Sequence, residues 1–222
     1  MDAVVDQDGD VILLSYKDSQ SVVTRCNFRG VPVSRMEIKK LPEGLLFGAN
    51  RMLYQNGLLY FASLGSMKVL VTDTSGEFKN CYDLVSLLRL DEKQRGEAEM
   101  SGFSVDKAGD FFFTIPTLFT AYKVSPEGTI SSFGKPGSAP GRFGVVAGII
   151  CDSRGNVLVV DKLKCAIMVF DKDFNFLAEF GYRGLRPENL IAPDYIAIDK
   201  RDRIYVTQAR KRGVSVFALT YN

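Results

Sequence analysis

A repeat constrains this chain more than any other feature of its sequence. A short turn leading into an apolar strand recurs five times, as Asp8-Gly9-Asp10-Val11, Asn56-Gly57-Leu58-Leu59, Ala108-Gly109-Asp110-Phe111, Arg154-Gly155-Asn156-Val157 and Arg201-Asp202-Arg203-Ile204. The last residues of these tetrads stand 48, 52, 46 and 47 positions apart. A near-constant period of about 20 to 50 residues marks an architecture in which each unit buries its apolar face against the next.

The surroundings of each anchor repeat as well. Four of the five follow a short strand that ends in an acid: Ala3-Val4-Val5-Asp6, Phe103-Ser104-Val105-Asp106, Ile149-Ile150-Cys151-Asp152 and Ile196-Ala197-Ile198-Asp199. The second repeat instead carries Arg51-Met52-Leu53-Tyr54-Gln55. Gly-Asp and Gly-Asn pairs suit tight hairpins, because these residues accept the positive φ such turns require. The acids are therefore read as acceptors of turn hydrogen bonds. A second strand follows each anchor, and a third begins near Val22, Val69, Ala121, Ile167 and Val214. Turns are expected at Thr74-Ser75-Gly76, Pro126-Glu127-Gly128 and Asp171-Lys172-Asp173, with a looser one around Phe28-Arg29-Gly30. A fourth strand closes the first four repeats, and none is evident in the fifth.

Short strands at this spacing specify an all-β fold, and four per repeat specify the blades of a β-propeller. The expectation is one propeller domain over residues 1–222, with antiparallel repeats at about 2–40, 41–90, 101–134, 135–181 and 182–222. The helical spacing of Leu84, Leu87 and Leu88 within 82–100 predicts an insertion at about 85–100. The Phe111-Phe112-Phe113 run and the series Phe170, Phe174, Phe176 and Phe180 are expected to pack blade against blade.

Composition narrows the chemistry. With 46% hydrophobic and 24% charged residues the chain has the makings of one large core, and a net charge of +2 favours neither a general nucleic-acid binder nor an acidic scaffold. There is no histidine, which removes the commonest general base and the usual catalytic zinc ligand. Cys26, Cys81, Cys151 and Cys165 are too scattered for a CxxC motif and are read as buried free thiols. No cofactor is expected. No apolar run nears the roughly 20 residues of a bilayer span, so membrane insertion is not expected. The first residues lack the pattern of a signal peptide. Because the first repeat starts at Asp2, further chain upstream of Met1 is expected, and the compartment stays open.

The fourth repeat carries Pro140-Gly141-Arg142-Phe143, Cys151-Asp152, Gly155-Asn156, Val159-Val160-Asp161 and Ile167-Met168-Val169-Phe170. In these residues it resembles an NHL repeat, with Lys164-Cys165-Ala166 where that pattern has Asn-His-Arg. The other repeats share the rhythm more than the residues. The resemblance implies an NHL-type propeller with a six-bladed parent, a five-bladed ring, or a ring completed by a second copy as a homo-oligomer. It also implies a non-catalytic module that binds a protein partner through one propeller face.

That face is formed by the loops between second and third strands and by the links between blades. The loops of repeats four and five gather Lys162, Lys164, Arg210, Lys211 and Arg212, which makes them the ligand-face candidates. Since some NHL relatives bind RNA on a basic face, single-stranded nucleic acid or phosphate is one alternative ligand. A second alternative is a lactonase-type hydrolase using a divalent cation at the channel mouth, for which Asn50, Glu99 and Asp194 are the candidate ligands. The histidine-dependent amidating-lyase chemistry of related propellers does not carry over.

Overall fold

Strands of three to seven residues alternate with turns opened by an acid, an amide or a serine, and the chain folds into five antiparallel sheets. The computed structural model describes residues 1–17, 20–43, 45, 47–209 and 213–220, with the backbone alone at 16, 17 and 20. It divides into two compact units, Met1–Arg95 and Gly96–Asn222.

The first unit holds two four-stranded blades. Their strands are β1 (Asp2–Val5), β2 (Val11–Lys17), β3 (Gln20–Cys26) and β4 (Pro32–Met36), then β5 (Arg51–Gln55), β6 (Leu58–Ser63), β7 (Lys68–Asp73) and β8 (Phe78–Asp83). Each blade is a simple meander, every strand hydrogen-bonded to the next in sequence. Ile12, Leu14 and Val23 of the first blade bury against Met52, Leu59, Phe61 and Leu70 of the second. Each such side chain withdrawn from water contributes about 1.5–3 kcal/mol. The expected helical insertion is two short helices, α1 (Leu84–Leu88) and α2 (Glu92–Glu97), not one segment from Tyr82. Tyr82 and Asp83 finish β8, Asp83 caps α1 through the Ser86 amide at 3.1 Å, and Arg89 ends it in a left-handed conformation at φ 53°.

The second unit holds three blades: β9 (Phe103–Val105), β10 (Phe111–Ile115), β11 (Thr120–Val124) and β12 (Ile130–Phe133); β13 (Val146–Cys151), β14 (Val157–Asp161), β15 (Ala166–Phe170) and β16 (Phe176–Phe180); and β17 (Pro193–Ile198), β18 (Arg203–Gln208) and β19 (Gly213–Ala218). The fifth blade has three strands among the described residues. The middle blade is buried on both sides. Because side chains alternate along a strand, Val157 and Val159 pack toward Phe112, Phe133 and Phe143, while Leu158 and Val160 pack toward Ile204 and Val206. That double burial is why β14 reads as an unbroken apolar run. The phenylalanines join blade to blade as expected, with Phe133 stacked on Phe174 at 4.4 Å and edge-on to Phe170 at 4.9 Å.

Blades three and four also meet through one polar contact. The fully buried Thr114 hydroxyl donates to the Ala147 carbonyl at 2.6 Å and accepts from the Gly102 amide at 2.9 Å. Gly102 lies against the backbone of Ala147 and Ile149 so closely that a Cβ there would collide with it.

One device sets the hairpins. In the first turn of four blades a carboxylate oxygen accepts from the amides two and four residues on: Asp6 from Asp8 and Asp10, Asp106 from Ala108 and Asp110, Asp152 from Arg154 and Asn156, Asp199 from Arg201 and Arg203, all at 2.8–3.0 Å. Such side-chain acceptors satisfy amides that the ladder leaves over. The outer turns reuse it at Asn27, Asp73 and Asp171. The turn at Phe28-Arg29-Gly30 is therefore not looser than the rest; Asn27 simply stands where others have an acid.

Candidate functional site: the loop face of blades three to five

The face considered is that of the second unit, formed by the β10–β11 and β14–β15 loops and the links leading into β13 and β17. Its framework is a carboxylate. Asp161, fully buried at the end of β14, accepts four backbone hydrogen bonds: from Gly144 at 2.5 Å and Val145 at 3.1 Å in the preceding link, and from Leu163 at 3.0 Å and Lys164 at 2.9 Å in its own loop. Several amides converging on one ionised oxygen pair make strong, short-range contacts. The loop they hold ends on Cys165, left-handed at φ 56°, the conformation that Met67 and Phe119 adopt at the matching loop ends of blades two and three.

Lys164 is the second fixed point. Its ammonium donates to Glu179 Oε2 at 3.0 Å and to the carbonyls of Ala139 at 3.1 Å and Arg142 at 3.3 Å. Glu179 also accepts from the Gly141 amide at 3.3 Å and the Tyr182 hydroxyl at 3.1 Å. The two charged side chains are only 12% and 8% exposed. Burial pushes the Glu179 carboxyl up, but the Lys164 hydrogen bond, the Gly141 amide, the Lys164 charge and Tyr182 together outweigh it and hold the group below the usual glutamate range. The Pro140-Gly141-Arg142-Phe143 lead-in is thus tied to β16 by a lysine from the neighbouring loop. Phe143, at its end, is fully buried.

The link into β17 repeats the plan. Leu190 takes the place of Phe143, fully buried and bridged to Arg183 as Phe143 is bridged to Pro136. Asn189 Nδ2 donates to the Gly181 carbonyl at 2.9 Å, and Gln208 Oε1 accepts from the Ile191 amide at 2.7 Å, as Asp161 does one blade earlier. The spacing of 47 between Phe143 and Leu190 was the available signal for this second lead-in.

These supports present apolar side chains outward. Leu163 is 71% exposed, Leu185 87% and Tyr182 49%, and Val145 in the Asp161-bound segment is exposed as well. Tyr182 and Lys164 share Glu179, so the aromatic ring and the Leu163 loop are held to one carboxylate. Sequence reasoning did not single out Leu163, Leu185 or Tyr182, because nothing in a pattern distinguishes an apolar loop residue that is buried from one that is not.

The charged candidates sit as follows. Lys162 pairs with Asp194 at 2.7 Å, which joins a ligand-face lysine to one of the candidate cation ligands. Lys164 faces inward onto Glu179. Arg210, Lys211 and Arg212 lie outside the described residues. Asn50, in the first unit, accepts the Leu64 amide at 2.9 Å, and Glu99, in the second, is exposed. Among the described residues no three histidine, cysteine, aspartate or glutamate side chains gather as a metal site. Nor is any helix among them long and apolar enough to cross a membrane.

Known proteins agree with this architecture. Over 57 residues, 26% of the chain, the sequence is 39% identical to protein lin-41 of Caenorhabditis elegans, of which it covers 5%. No family model matches the chain. Among solved structures it is similar to virginiamycin B lyase from Staphylococcus aureus (14% identical, TM-score 0.61, 99% of this chain and 70% of that one). It is similar also to a chain of a nidogen/laminin complex (14%, 0.62, 98% and 75%) and to the calcium-binding protein regucalcin of Agrobacterium tumefaciens (18%, 0.58, 95% and 68%). At these identities the likeness shows the fold alone. Blade grammar, sheet topology and the lin-41 match together define an NHL-type β-propeller of four-stranded antiparallel blades. The solved structures similar to it include a lyase and a calcium-binding protein.

Proposed function

We propose that this propeller is a non-catalytic module that engages a protein partner through the loop face of its second unit. The observation that carries the reading is the outward display of Leu163 and Tyr182 on a frame fixed by Asp161 and by the Lys164–Glu179 pair, with Leu185 exposed in the link that Asn189 and Gln208 hold. Large apolar side chains cost solubility when exposed together, and rigid aromatic and aliphatic anchors are what protein interfaces use. Holding them on a pre-set loop also lowers the ordering cost of binding.

The test is quantitative cross-linking and capture with the wild-type chain beside a Leu163→Asp, Leu185→Asp double variant. Both positions are exposed, so the fold tolerates the change. Proteins held by the wild type and lost from the double variant support the proposal. Equal retention by both sinks it. Salt-sensitive capture of single-stranded RNA that ignores both substitutions assigns the face to nucleic acid instead.

A further inference from the structure

The first unit contains a cavity of about 850 Å³ between its two blades, walled on one side by the link that joins them. Leu14, Val23, Phe47, Phe61 and Leu70 line it. This size falls among cavities that take a drug-sized molecule, roughly 300–1,000 Å³. The links into blades four and five show what occupies such a space elsewhere in the chain. There Phe143 and Leu190 stand 18 residues before Asp161 and Gln208, and both are fully buried. Asp161 and Gln208 end the second strands of their blades and clamp these links by accepting their amides. In blade two the same count leads from Leu45 to Ser63, which ends β6 opposite Lys68 as Asp161 ends β14 opposite Ala166. Serine lacks the reach of aspartate or glutamine. Its oxygen accepts from the Ser66 hydroxyl at 2.6 Å, and among the described residues no hydrogen bond joins it to the link. Leu45 and Phe47 are accordingly only half-buried, and apolar room stands where the other two blade pairs have a clamped plug.

Strand alternation decides which polar groups face this room. Ser63 lies two residues from Phe61 and Ser21 two from Val23, so both share the faces that pack between the blades. Both adjoin a loop joining a second to a third strand, which gathers the hydroxyls at one end. Ser21 Oγ accepts the Ala49 amide at 3.1 Å, and a serine that accepts still has its proton to donate. The charged residues of the wall, Arg35 and Glu37, are exposed and alternate with the half-buried Met36 and Ile38 that pack on the core. Their side chains therefore belong to the opposite face, with Arg35 beside Thr24 and Met36 beside Val23. An apolar chamber with neutral hydroxyls at one end disfavours an ionised ligand, because a buried charge without a partner is costly.

We infer that this cavity binds an uncharged apolar molecule with one hydrogen-bonding end, its body against Leu14, Phe47 and Phe61 and its polar end at Ser21 and Ser63. The ligand takes the place that Phe143 and Leu190 fill between the later blades. The site is distinct from the loop face assigned above and does not depend on that assignment.

The chain has no tryptophan, so a Phe47→Trp variant carries a unique fluorophore in the cavity wall. The probe is 8-bromo-1-octanol, whose bromine quenches an indole it touches. Saturable quenching is expected in Phe47→Trp and not in Phe176→Trp, which places the fluorophore in the second unit. The ionised 8-bromooctanoate is expected to bind about ten-fold more weakly than the alcohol. Adding Ser63→Phe, whose ring grows into the cavity, is expected to abolish the quenching while the chain stays folded by circular dichroism. Calorimetric titration of the alcohol into the unsubstituted chain gives the affinity independently of any substitution, and it decides even where Ser63→Phe does not fold. Absence of saturable binding there overturns the proposal. So do equal quenching in both reporters, equal affinity for alcohol and acid, and undiminished quenching in a folded Ser63→Phe variant.

Discussion

Lys164 and Glu179 form an ion pair of 3.0 Å with both side chains almost withdrawn from solvent, and it ties the lead-in of blade four to that blade's outer strand. Removing one member leaves the other charge buried without its partner. Lys164→Met is expected to destabilise the chain by about 3 kcal/mol in urea unfolding, and Lys164→Met with Glu179→Met by less than the single change. A loss under about 0.5 kcal/mol would mark the pair as no more than a surface contact. The pH dependence has a fixed sign. The Glu179 carboxyl is depressed in the folded chain, so its contribution is complete above the ordinary value of 4.5 and fades as pH falls below it. The Glu179→Gln variant should therefore lose less stability than the wild type between neutrality and that acid range.

Asp161 serves four amides, and its replacements should rank. Asp161→Ala strands all four and is expected to cost about 3 kcal/mol, whereas Asp161→Asn keeps one acceptor and costs less. Hydrogen exchange at Gly144, Val145, Leu163 and Lys164 reports the same loss locally. Unchanged protection at all four in Asp161→Ala would remove Asp161 as the organiser of this loop.

Two glycines should respond in opposite ways. A methyl group at Gly102 meets the backbone of Ala147 and Ile149, neither of which can yield, so Gly102→Ala is expected to lose about 2–3 kcal/mol. Gly65 has open space around it, and Gly65→Ala should leave the thermal midpoint nearly unchanged. Similar behaviour of the two variants would contradict the close approach of blades three and four.

Cys151 should resist alkylation. Burial, followed by the negative charges of Asp106 and Asp152, pushes its thiol up to about 12. At pH 8 in iodoacetamide the folded chain is expected to remain unmodified at Cys151 by mass spectrometry, with rapid modification once guanidinium is added. Prompt labelling of the native protein would exclude this environment.

The blades were legible in the sequence because their periodic residues are structural: the apolar strand follows all five anchors, and the acid and the glycine each mark four of them. The two lead-ins were half legible. Phe143 announces itself through Pro140-Gly141, while Leu190 performs the same burial after a tetrad that keeps only the proline, Pro187, at the same spacing. Lys164 was harder. Its position in a basic loop pointed outward to a ligand, and what turns it inward is Glu179, fifteen residues on in another strand. Local composition cannot reveal a partner chosen by three-dimensional neighbourhood. The cavity under Phe47 and Phe61 was invisible for the same reason, since an apolar residue lining a void reads like one filling a core.

The hairpin device has a consequence for how such a chain can change. Each carboxylate or amide acceptor satisfies amides two and four positions ahead, so the backbone of the turn is closed by that one side chain and not by the side chains between them. A turn tip can then accept new side chains while the strands behind it keep their register. That separation of scaffold from inscription makes these tips natural places to graft a peptide epitope or a tag, one blade at a time, without redesigning the packing beneath.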